Sequence, residues 1–263
     1  MSNVDLNHLF LETIKKSFRI FLNTHSRSNE KLKELHSNVK SHLLEKMKKE
    51  GIDIQKIKII SLDKNNKEED KICGRYYEKK VDISIRNEMG PIGAIGLKFV
   101  MNNYKQNSNN YFENMLGETA NIRSANLPYF QIFILFDKMP YFESDGNLKY
   151  WEDLSRSHLD KYIRLSEDNI ERFYHTPNLT LFCIISLSLD ESQYQSIKSR
   201  EEFRIRFNEL LDKNELEMKY SSKFPPEIFK QNVILNDYNQ FLNRVIYYLL
   251  ANDFLKKGEI NEA

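Results

Sequence analysis

The stretch that decides the fold is the pair of segments KKVDISIR (79–86) and IGAIGLKFV (92–100), separated by the turn-forming sequence NEMGP (87–91). In the first segment apolar and polar residues alternate strictly, which is the period-two pattern of a half-buried strand. The apolar members are Val81, Ile83 and Ile85, and the polar members between them are Asp82 and Ser84. Two strands joined by a short turn predict an antiparallel hairpin centred on Gly90.

Outward from this hairpin, the periodicity of apolar residues predicts the other elements. Upstream, it indicates helices at 5–23 and 29–49, a short strand at 54–62 and a solvated loop at 63–71. Downstream, it indicates a helix at 110–123, a strand at 129–136, a helix at 152–170, a strand at 179–189 and helices from about 199 onward. The strand at 129–136, YFQIFILF, shows no alternation, which is typical of a central strand covered on both faces.

This order of elements predicts an α/β fold in which helices flank a mixed β-sheet. We expect a single domain over 1–263, since no linker or repeat interrupts the chain. Its parts would be a helical N-terminal addition at 1–52, an α/β core at 53–190 and a helical C-terminal addition at 191–263.

Composition and charge exclude several classes of protein. The 39 basic and 38 acidic residues nearly cancel, so the charge balance neither requires nor excludes a nucleic-acid partner. Two cysteines do not make a disulfide framework. No leader segment is visible, and no apolar run approaches the roughly 20 residues that span a bilayer. We therefore expect a cytoplasmic protein without a membrane partner.

The predicted hairpin brings a carboxylate and an amine together. If the strands pair symmetrically about Gly90, Ile83 faces Leu97 on the apolar side and Asp82 lies beside Lys98 on the polar side. Cross-strand neighbours have Cβ atoms roughly 4.5–5.5 Å apart. Aspartate is a hard oxygen ligand suited to Mg²⁺, and a nearby lysine can orient water or stabilise a charged transition state. The alternative is an ordinary surface salt bridge, which contributes under about 1 kcal/mol.

The chain resembles type II restriction endonucleases of the PD-(D/E)xK superfamily over about residues 78–190. The resemblance lies in VDISI, GAIGLKF, the helix FENMLGETANIR and the strand YFQIFILF, taken in that order. It implies Mg²⁺-dependent cleavage of double-stranded DNA, usually by a homodimer at a short specific sequence. It also implies that Asp82 is a metal-binding catalytic residue and Lys98 the catalytic lysine.

One position departs from that family pattern. The residue two before the lysine should be acidic, and here it is Gly96. Some members of the family take the missing carboxylate from the following helix, where Glu113 and Glu118 are available as catalytic and metal-binding residues. Glu78 is a further candidate if the first strand extends that far back. The sequence leaves open which of these completes the site, and an inactive descendant remains an alternative.

The polar stretch after the second strand suits a loop that faces DNA, because amides can pair with adenine edges and lysine can contact phosphate. The residues that we predict to bind DNA there are Asn103, Lys105, Gln106, Asn109 and Asn110, with Arg123 at the end of the following helix. A solvated loop without function is the alternative reading. Two other functions stay open: a non-catalytic DNA-binding or interaction protein, and a non-specific repair or phage nuclease of the same fold.

Overall fold

A computed structural model describes residues 5–24, 29–63 and 68–256. Seven α-helices lie in these ranges: α1 (Leu6–Asn23), α2 (Glu30–Lys49), α3 (Tyr104–Arg123), α4 (Arg156–Ser166), α5 (Glu191–Ser196), α6 (Arg200–Asp212) and α7 (Tyr238–Ala251). The first six strands of the same ranges are β1 (Lys58–Ser61), β2 (Asp70–Cys73), β3 (Glu78–Val81), β4 (Ile83–Asn87), β5 (Gly90–Val100) and β6 (Tyr129–Phe136). The remaining five are β7 (Lys138–Phe142), β8 (Leu148–Asp153), β9 (Leu179–Leu187), β10 (Met218–Tyr220) and β11 (Val233–Leu235).

Seven of these strands form one mixed sheet in the order β1-β4-β5-β6-β9-β10, with β11 also paired to β9. The central strands β5, β6 and β9 run parallel, and β1, β4 and β10 add antiparallel pairs. Helix α3 connects β5 to β6, as expected for a parallel crossover. The predicted α/β architecture with a mixed sheet and flanking helices is therefore confirmed.

Helices cover both faces of the sheet, which explains why every residue of β6 is buried. On one face, Phe136 packs edge-on against Phe18 of α1, with ring centroids 5.0 Å apart. On the other face, Phe133 contacts Tyr162 of α4 at 5.5 Å between centroids. The parallel register between β5 and β6 places Gly96 level with Gln131 and Lys98 level with Phe133 on this second face.

The central hairpin forms, but with a register that differs from the predicted one. Ile83 pairs with Ile95 rather than Leu97, and Ile85 pairs with Gly93 rather than Ile95. A bulge follows between Ile85 and Arg86. The reason is the turn, which closes between Asn87 and Gly90. The Asn87 side chain accepts hydrogen bonds from the backbone N–H groups of Met89 and Gly90 at 2.9 and 3.1 Å. Because the register shifts by two residues, each side chain keeps its predicted face.

Asp82 interrupts what the alternation predicted to be one continuous strand. The chain bends at this residue, so β3 pairs with β2 in a separate hairpin while β4 enters the main sheet. Val81 then joins a small buried cluster with Ala94, Ile122 and Tyr129 instead of extending the row of Ile83 and Ile85. Asp82 thus lies where the chain enters the sheet.

Other boundaries also differ from the sequence prediction. The C-terminal part, predicted as helical, contributes β10 and β11 to the sheet as well as its helices. The predicted loop at 63–71 lies partly outside the described residues, and its end belongs to β2. The hairpin of β7 and β8 has no counterpart in the prediction. Among the described helices, none has the length and apolar character required to cross a bilayer.

Candidate functional site

A cavity of about 550 Å³ opens between the end of the central hairpin, β6 and helix α3. The four residues predicted to be catalytic, Asp82, Lys98, Glu113 and Glu118, all line it. Its wall also contains Gly96, the position at which the family pattern expects an acid, together with Gln131 and Tyr129 of β6. The fold therefore brings into one cavity four predicted residues that span 36 positions of the chain, from Asp82 to Glu118.

Asp82 is the most constrained acid of this cavity. Its Oδ2 accepts a hydrogen bond of 2.6 Å from the backbone N–H of Leu97, and its side chain is 27% exposed. Burial raises the pKa of this carboxyl to about 6, with Glu69 adding to the effect and the Leu97 N–H, Lys79 and Lys98 opposing it. Keeping the charged form of Asp82 at neutral pH therefore costs free energy in the absence of a bound cation.

Lys98 shares the cavity with Asp82, but the two are not direct cross-strand neighbours as predicted. The observed pairing begins with Ile83 opposite Ile95, and Asp82 lies at the bend just before it. No direct ion pair forms between Asp82 and Lys98 in the described structure. The Lys98 Nζ instead lies over the Tyr111 ring, 4.6 Å from its centroid. Burial lowers the pKa of the amine, and the charge of Asp82 partly offsets this.

The two candidate glutamates of α3 differ in their surroundings. Glu118 is partly buried, and its Oε2 lies 3.2 Å from the Nζ of Lys79. Burial raises the pKa of Glu118, and the charge of Asp82 raises it further. Glu113 is exposed at the cavity wall, where its charge acts on Lys161. Because the charge of Asp82 acts on Glu118, Glu118 is the better of these two glutamates as a candidate for the missing carboxylate. Glu78 is exposed in β3, 3.7 Å from Lys71, outside the cavity lining.

The space that an acidic side chain at position 96 would need is filled by polar groups of two other residues. A Cβ atom at Gly96 would lie 2.0 Å from the Tyr129 hydroxyl and 2.8 Å from Gln131 Oε1. The Tyr129 hydroxyl donates to that same Oε1 at 3.3 Å. The position that is acidic in the family pattern is therefore occupied here by a phenol and an amide from β6.

This crowding gives a stability test with a matched control. We expect Gly96→Ala to lower the free energy of unfolding by about 1–3 kcal/mol, because the buried side chains of Tyr129 and Gln131 must move to admit the methyl group. Gly117 of α3 has no atom within 4 Å of a built Cβ. Gly117→Ala should instead raise stability by about 0.5–1 kcal/mol, since alanine is the better helix former. Urea unfolding of both variants measures the difference; equal effects would contradict the crowding at Gly96.

Two residues near Asp82 were not found by sequence reasoning. His36 of α2 is fully buried, and its Nε2 lies 3.8 Å from Asp82 Oδ1. Neither ring nitrogen completes a hydrogen bond of normal geometry with a described residue, although the Leu62 backbone is near enough to act on the ring's pKa. Burial lowers the pKa of His36 to about 4, so the ring is neutral at pH 7. Glu69 is close enough for its charge to act on both His36 and Asp82. No motif marks either residue in the sequence.

The raised pKa of Asp82 has a measurable consequence for stability. Above pH 6 the folded protein holds this carboxylate ionised at a cost, so Asp82→Asn should stabilise the metal-free protein by about 1–3 kcal/mol. As the pH falls from about 6 toward the unfolded value of 3.8, the folded wild type takes up the proton first and the gap closes. Urea unfolding in EDTA at pH 8 and pH 4.5 measures both gaps.

Asp160→Asn is the matched control for that measurement. Asp160 is an exposed carboxylate on α4, so its substitution should change stability by no more than about 0.5 kcal/mol at either pH. A destabilising effect of Asp82→Asn at pH 8 would show that the carboxylate is a structural group.

The residues predicted to bind DNA do not form the loop that the sequence suggested. Helix α3 begins at Tyr104, so this stretch forms its first turns. Asn103 precedes the helix in a left-handed conformation, and its amide makes two hydrogen bonds to the backbone of Phe142, at 2.8 and 3.0 Å. Its role is therefore to join α3 to β7. The loop prediction failed because an Asn-rich segment can start a helix when its amides satisfy the neighbouring backbone.

Arg123 is also engaged within the protein. It is 7% exposed, and its guanidinium donates to the backbone carbonyls of Ile170, Phe173 and Thr176 at 2.7–2.9 Å. These bonds hold the segment after α4 against the end of α3. The structure gives Arg123 a packing role, and its predicted contact with DNA stays a prediction.

Four residues of the predicted DNA-binding set remain on the surface. Lys105, Gln106, Asn109 and Asn110 are exposed on the first turns of α3. Asn109 accepts a hydrogen bond from Lys161 at 3.0 Å. They belong to the same helix as Glu113 and Glu118, so they lie on the element that also forms one wall of the cavity.

No family model, curated protein or solved structure matches this chain. The family resemblance therefore stays an expectation from the sequence, and the case for a function depends on the geometry of the cavity.

The donor set of the cavity can be tested against the Mg²⁺ ion that the resemblance implies. Within the described ranges, no three His, Cys, Asp or Glu side chains are grouped as a metal site. Mg²⁺ in phosphoryl-transfer enzymes is commonly bound by one or two carboxylates, with water and substrate phosphate as further ligands. Asp82 and Glu118 supply two carboxylates whose charged forms are disfavoured without a cation. This pair fits Mg²⁺ but offers too few soft ligands for structural zinc.

Proposed function

We propose that this chain is a Mg²⁺-dependent endonuclease that hydrolyses phosphodiester bonds of double-stranded DNA, in the manner of a type II restriction enzyme of the PD-(D/E)xK kind. The single observation that carries the proposal is that one cavity is lined by two carboxylates, Asp82 and Glu118, and by two lysines, Lys79 and Lys98. Hydrolysis of a phosphodiester needs both, since a cation site and an anion site must meet at the scissile group.

The acidic side of the cavity supports the cation. The charges of Asp82 and Glu118 act on each other inside a partly buried space, where like charges raise the pKa. A divalent cation between them would remove this cost. Among the described residues Asp82 Oδ1 accepts no hydrogen bond, and the nearby His36 Nε2 is 3.8 Å away, so this oxygen is available as a ligand.

The basic side of the cavity supports the phosphate. Of the two lysines in the cavity wall, Lys79 is paired with Glu118, whereas Lys98 forms no ion pair with a described residue. Burial lowers the pKa of Lys98, so its charged form is held at a cost. An anion beside this partly desolvated amine would offset that cost. A phosphate oxygen of DNA is the anion that this proposal places there.

The proposal gives each residue a role. Asp82 and Glu118 would hold the Mg²⁺ ion, which supplies Lewis-acid polarisation of the phosphate and a water of lowered pKa. Lys98, steadied by the Tyr111 ring, stabilises the negative charge that develops on the phosphate oxygens. Tyr129 and Gln131 occupy the space beside Gly96, and the Tyr129 hydroxyl is close enough to Glu118 to act against the rise in its pKa.

Recognition of DNA is proposed for the exposed start of α3. Lys105, Gln106, Asn109 and Asn110 offer one amine and three amides on the surface of this helix. Amides can make paired hydrogen bonds with adenine in the major groove. The resemblance to restriction enzymes further implies that the protein acts as a homodimer, because cutting both strands of a short palindrome needs two sites related by a two-fold axis.

Digestion of supercoiled plasmid tests the proposal. With Mg²⁺, the protein should nick and then linearise the plasmid, and EDTA should stop the reaction. Sequencing the new ends distinguishes the type II activity, which gives one recurrent sequence, from a non-specific nuclease, which gives random ends. Intact plasmid after prolonged incubation with Mg²⁺ or Mn²⁺ would leave a non-catalytic protein as the better account.

A further inference from the structure

The loop between β2 and β3 presents two tyrosines to solvent beside the cavity. This loop, residues 74–77 with the sequence GRYY, is called the tyrosine loop below. Tyr76 is 76% exposed and Tyr77 is 54% exposed, so these are among the most exposed large apolar side chains of the described structure. Exposed aromatic rings of this size usually mark a contact surface, because burying them against a partner contributes a large favourable free energy.

The backbone of the tyrosine loop is held in place by one buried side chain. Asn121 of α3 is 1% exposed, and its Oδ1 accepts from the backbone N–H groups of Tyr76 and Tyr77 at 2.9 and 3.4 Å. Its Nδ2 donates to the carbonyl of Tyr77 at 3.0 Å. Gly74 makes this approach possible, since a Cβ there would lie 2.1 Å from Asn121 Nδ2. The rings are therefore exposed on a fixed backbone.

The position and charge of the loop indicate its partner. Tyr77 and the neighbouring Lys79 belong to the cavity wall that also holds Asp82. Arg75 and Lys80 are exposed, and neither forms an ion pair with a described residue. Aromatic rings combined with unpaired cations are the chemistry by which proteins bind nucleic acid through its bases and its backbone together.

We infer that the tyrosine loop is a stacking platform for an unpaired DNA base next to the scissile phosphate. The inference rests on the proposed function and narrows its substrate: the preferred DNA has a locally unstacked base at the cleavage position. Paired duplex DNA covers the faces of its bases, so rings held at the cavity edge can stack only on a base that has left the helix. Arg75 and Lys80 then contact the phosphates on either side of that base.

A binding experiment with two DNA probes tests this inference. One probe is a fully paired duplex, and the other carries a two-nucleotide bulge containing 2-aminopurine, both in EDTA so that neither is cut. We expect the wild type to bind the bulged probe about tenfold more tightly and to quench its fluorescence by stacking. Tyr76→Ala and Tyr77→Ala should each weaken binding of the bulged probe about fivefold or more and leave the paired probe unchanged.

Two control variants separate stacking from other effects. Tyr76→Phe keeps the ring and should bind as the wild type does. Tyr247→Ala removes a tyrosine of similar exposure from α7 and should also have no effect. Equal loss of affinity for both probes, without a change in quenching, would mean that the loop contacts the backbone alone and would overturn the inference.

The outcomes also distinguish this inference from the proposed function. If the wild type cleaves plasmid with Mg²⁺ while the alanine variants bind the bulged probe normally, the stacking platform is wrong and the nuclease stands. If the wild type binds neither probe, the stacking platform is wrong, and plasmid cleavage with Mg²⁺ alone decides whether the nuclease stands.

Discussion

Asp82→Asn is expected to lower Mg²⁺-dependent cleavage of plasmid DNA by about 10³-fold or more, the largest effect of any single substitution in the chain. The carboxylate is one of two that would hold the cation, and neutralising it removes the charge while the amide can still accept from the Leu97 N–H. Single-turnover rates at saturating Mg²⁺ measure the loss. The same substitution should stabilise the metal-free protein, so the rate cannot fall through unfolding.

Lys98→Ala separates the role of the amine from that of the acid. We expect its cleavage rate to fall about 10²–10³-fold, because one charged donor to the transition state is lost. Unlike Asp82→Asn, this variant should keep the rise in melting temperature that Mg²⁺ gives the wild type. Asp160→Asn, on the exposed side of α4, should cleave at the wild-type rate.

Full activity of Asp82→Asn would show that the cavity is not the active site.

The second large effect distinguishes the two glutamates of α3. Glu118→Gln should lower cleavage about 10²-fold or more, whereas Glu113→Gln should change it by no more than a few-fold. The reason is that Glu118 is partly buried and coupled to Asp82, while Glu113 is exposed and acts on Lys161. The two substitutions are chemically identical and lie five residues apart on one helix, so each controls for the other. Cleavage rates measured across a Mg²⁺ titration show whether the loss lies in metal affinity.

The opposite result for the two glutamates would change the position proposed for the metal ion. A large loss in Glu113→Gln with normal cleavage by Glu118→Gln would move the metal toward the mouth of the cavity. Lys79, which pairs with Glu118 at 3.2 Å, would then serve to neutralise a structural carboxylate.

Much of the fold could be predicted from local patterns in the sequence. The long amphipathic stretches gave α1 and α2 almost to the residue, and the apolar run at 129–136 coincides with β6. These elements are decided by periodicity and burial, which are properties of short windows. The β7–β8 hairpin and strands β10 and β11 escaped prediction because they are short and owe their pairing to distant partners.

The candidate site could be predicted from the sequence only in part. Asp82 and Lys98 could be placed on one face by alternation alone, and a register error of two residues left that result intact. The choice between Glu113 and Glu118 could not be made, because it depends on which helical face meets the cavity. We predicted from residue type that Asn103 and Arg123 bind DNA. In the fold, their polar side-chain groups form hydrogen bonds with neighbouring backbone groups. His36 and Glu69 reach Asp82 only through the tertiary fold.

The most direct test of the account is to locate a divalent cation in crystals of the protein with uncleaved DNA and Mn²⁺. The expected result is an anomalous peak in the cavity with oxygen atoms of Asp82 and Glu118 at roughly 2.0–2.4 Å, and with a phosphate oxygen as a further ligand. A Mn²⁺ ion bound elsewhere, with Glu118 still paired to Lys79 and no ion beside Asp82, would contradict the central claim that these two carboxylates form the metal site.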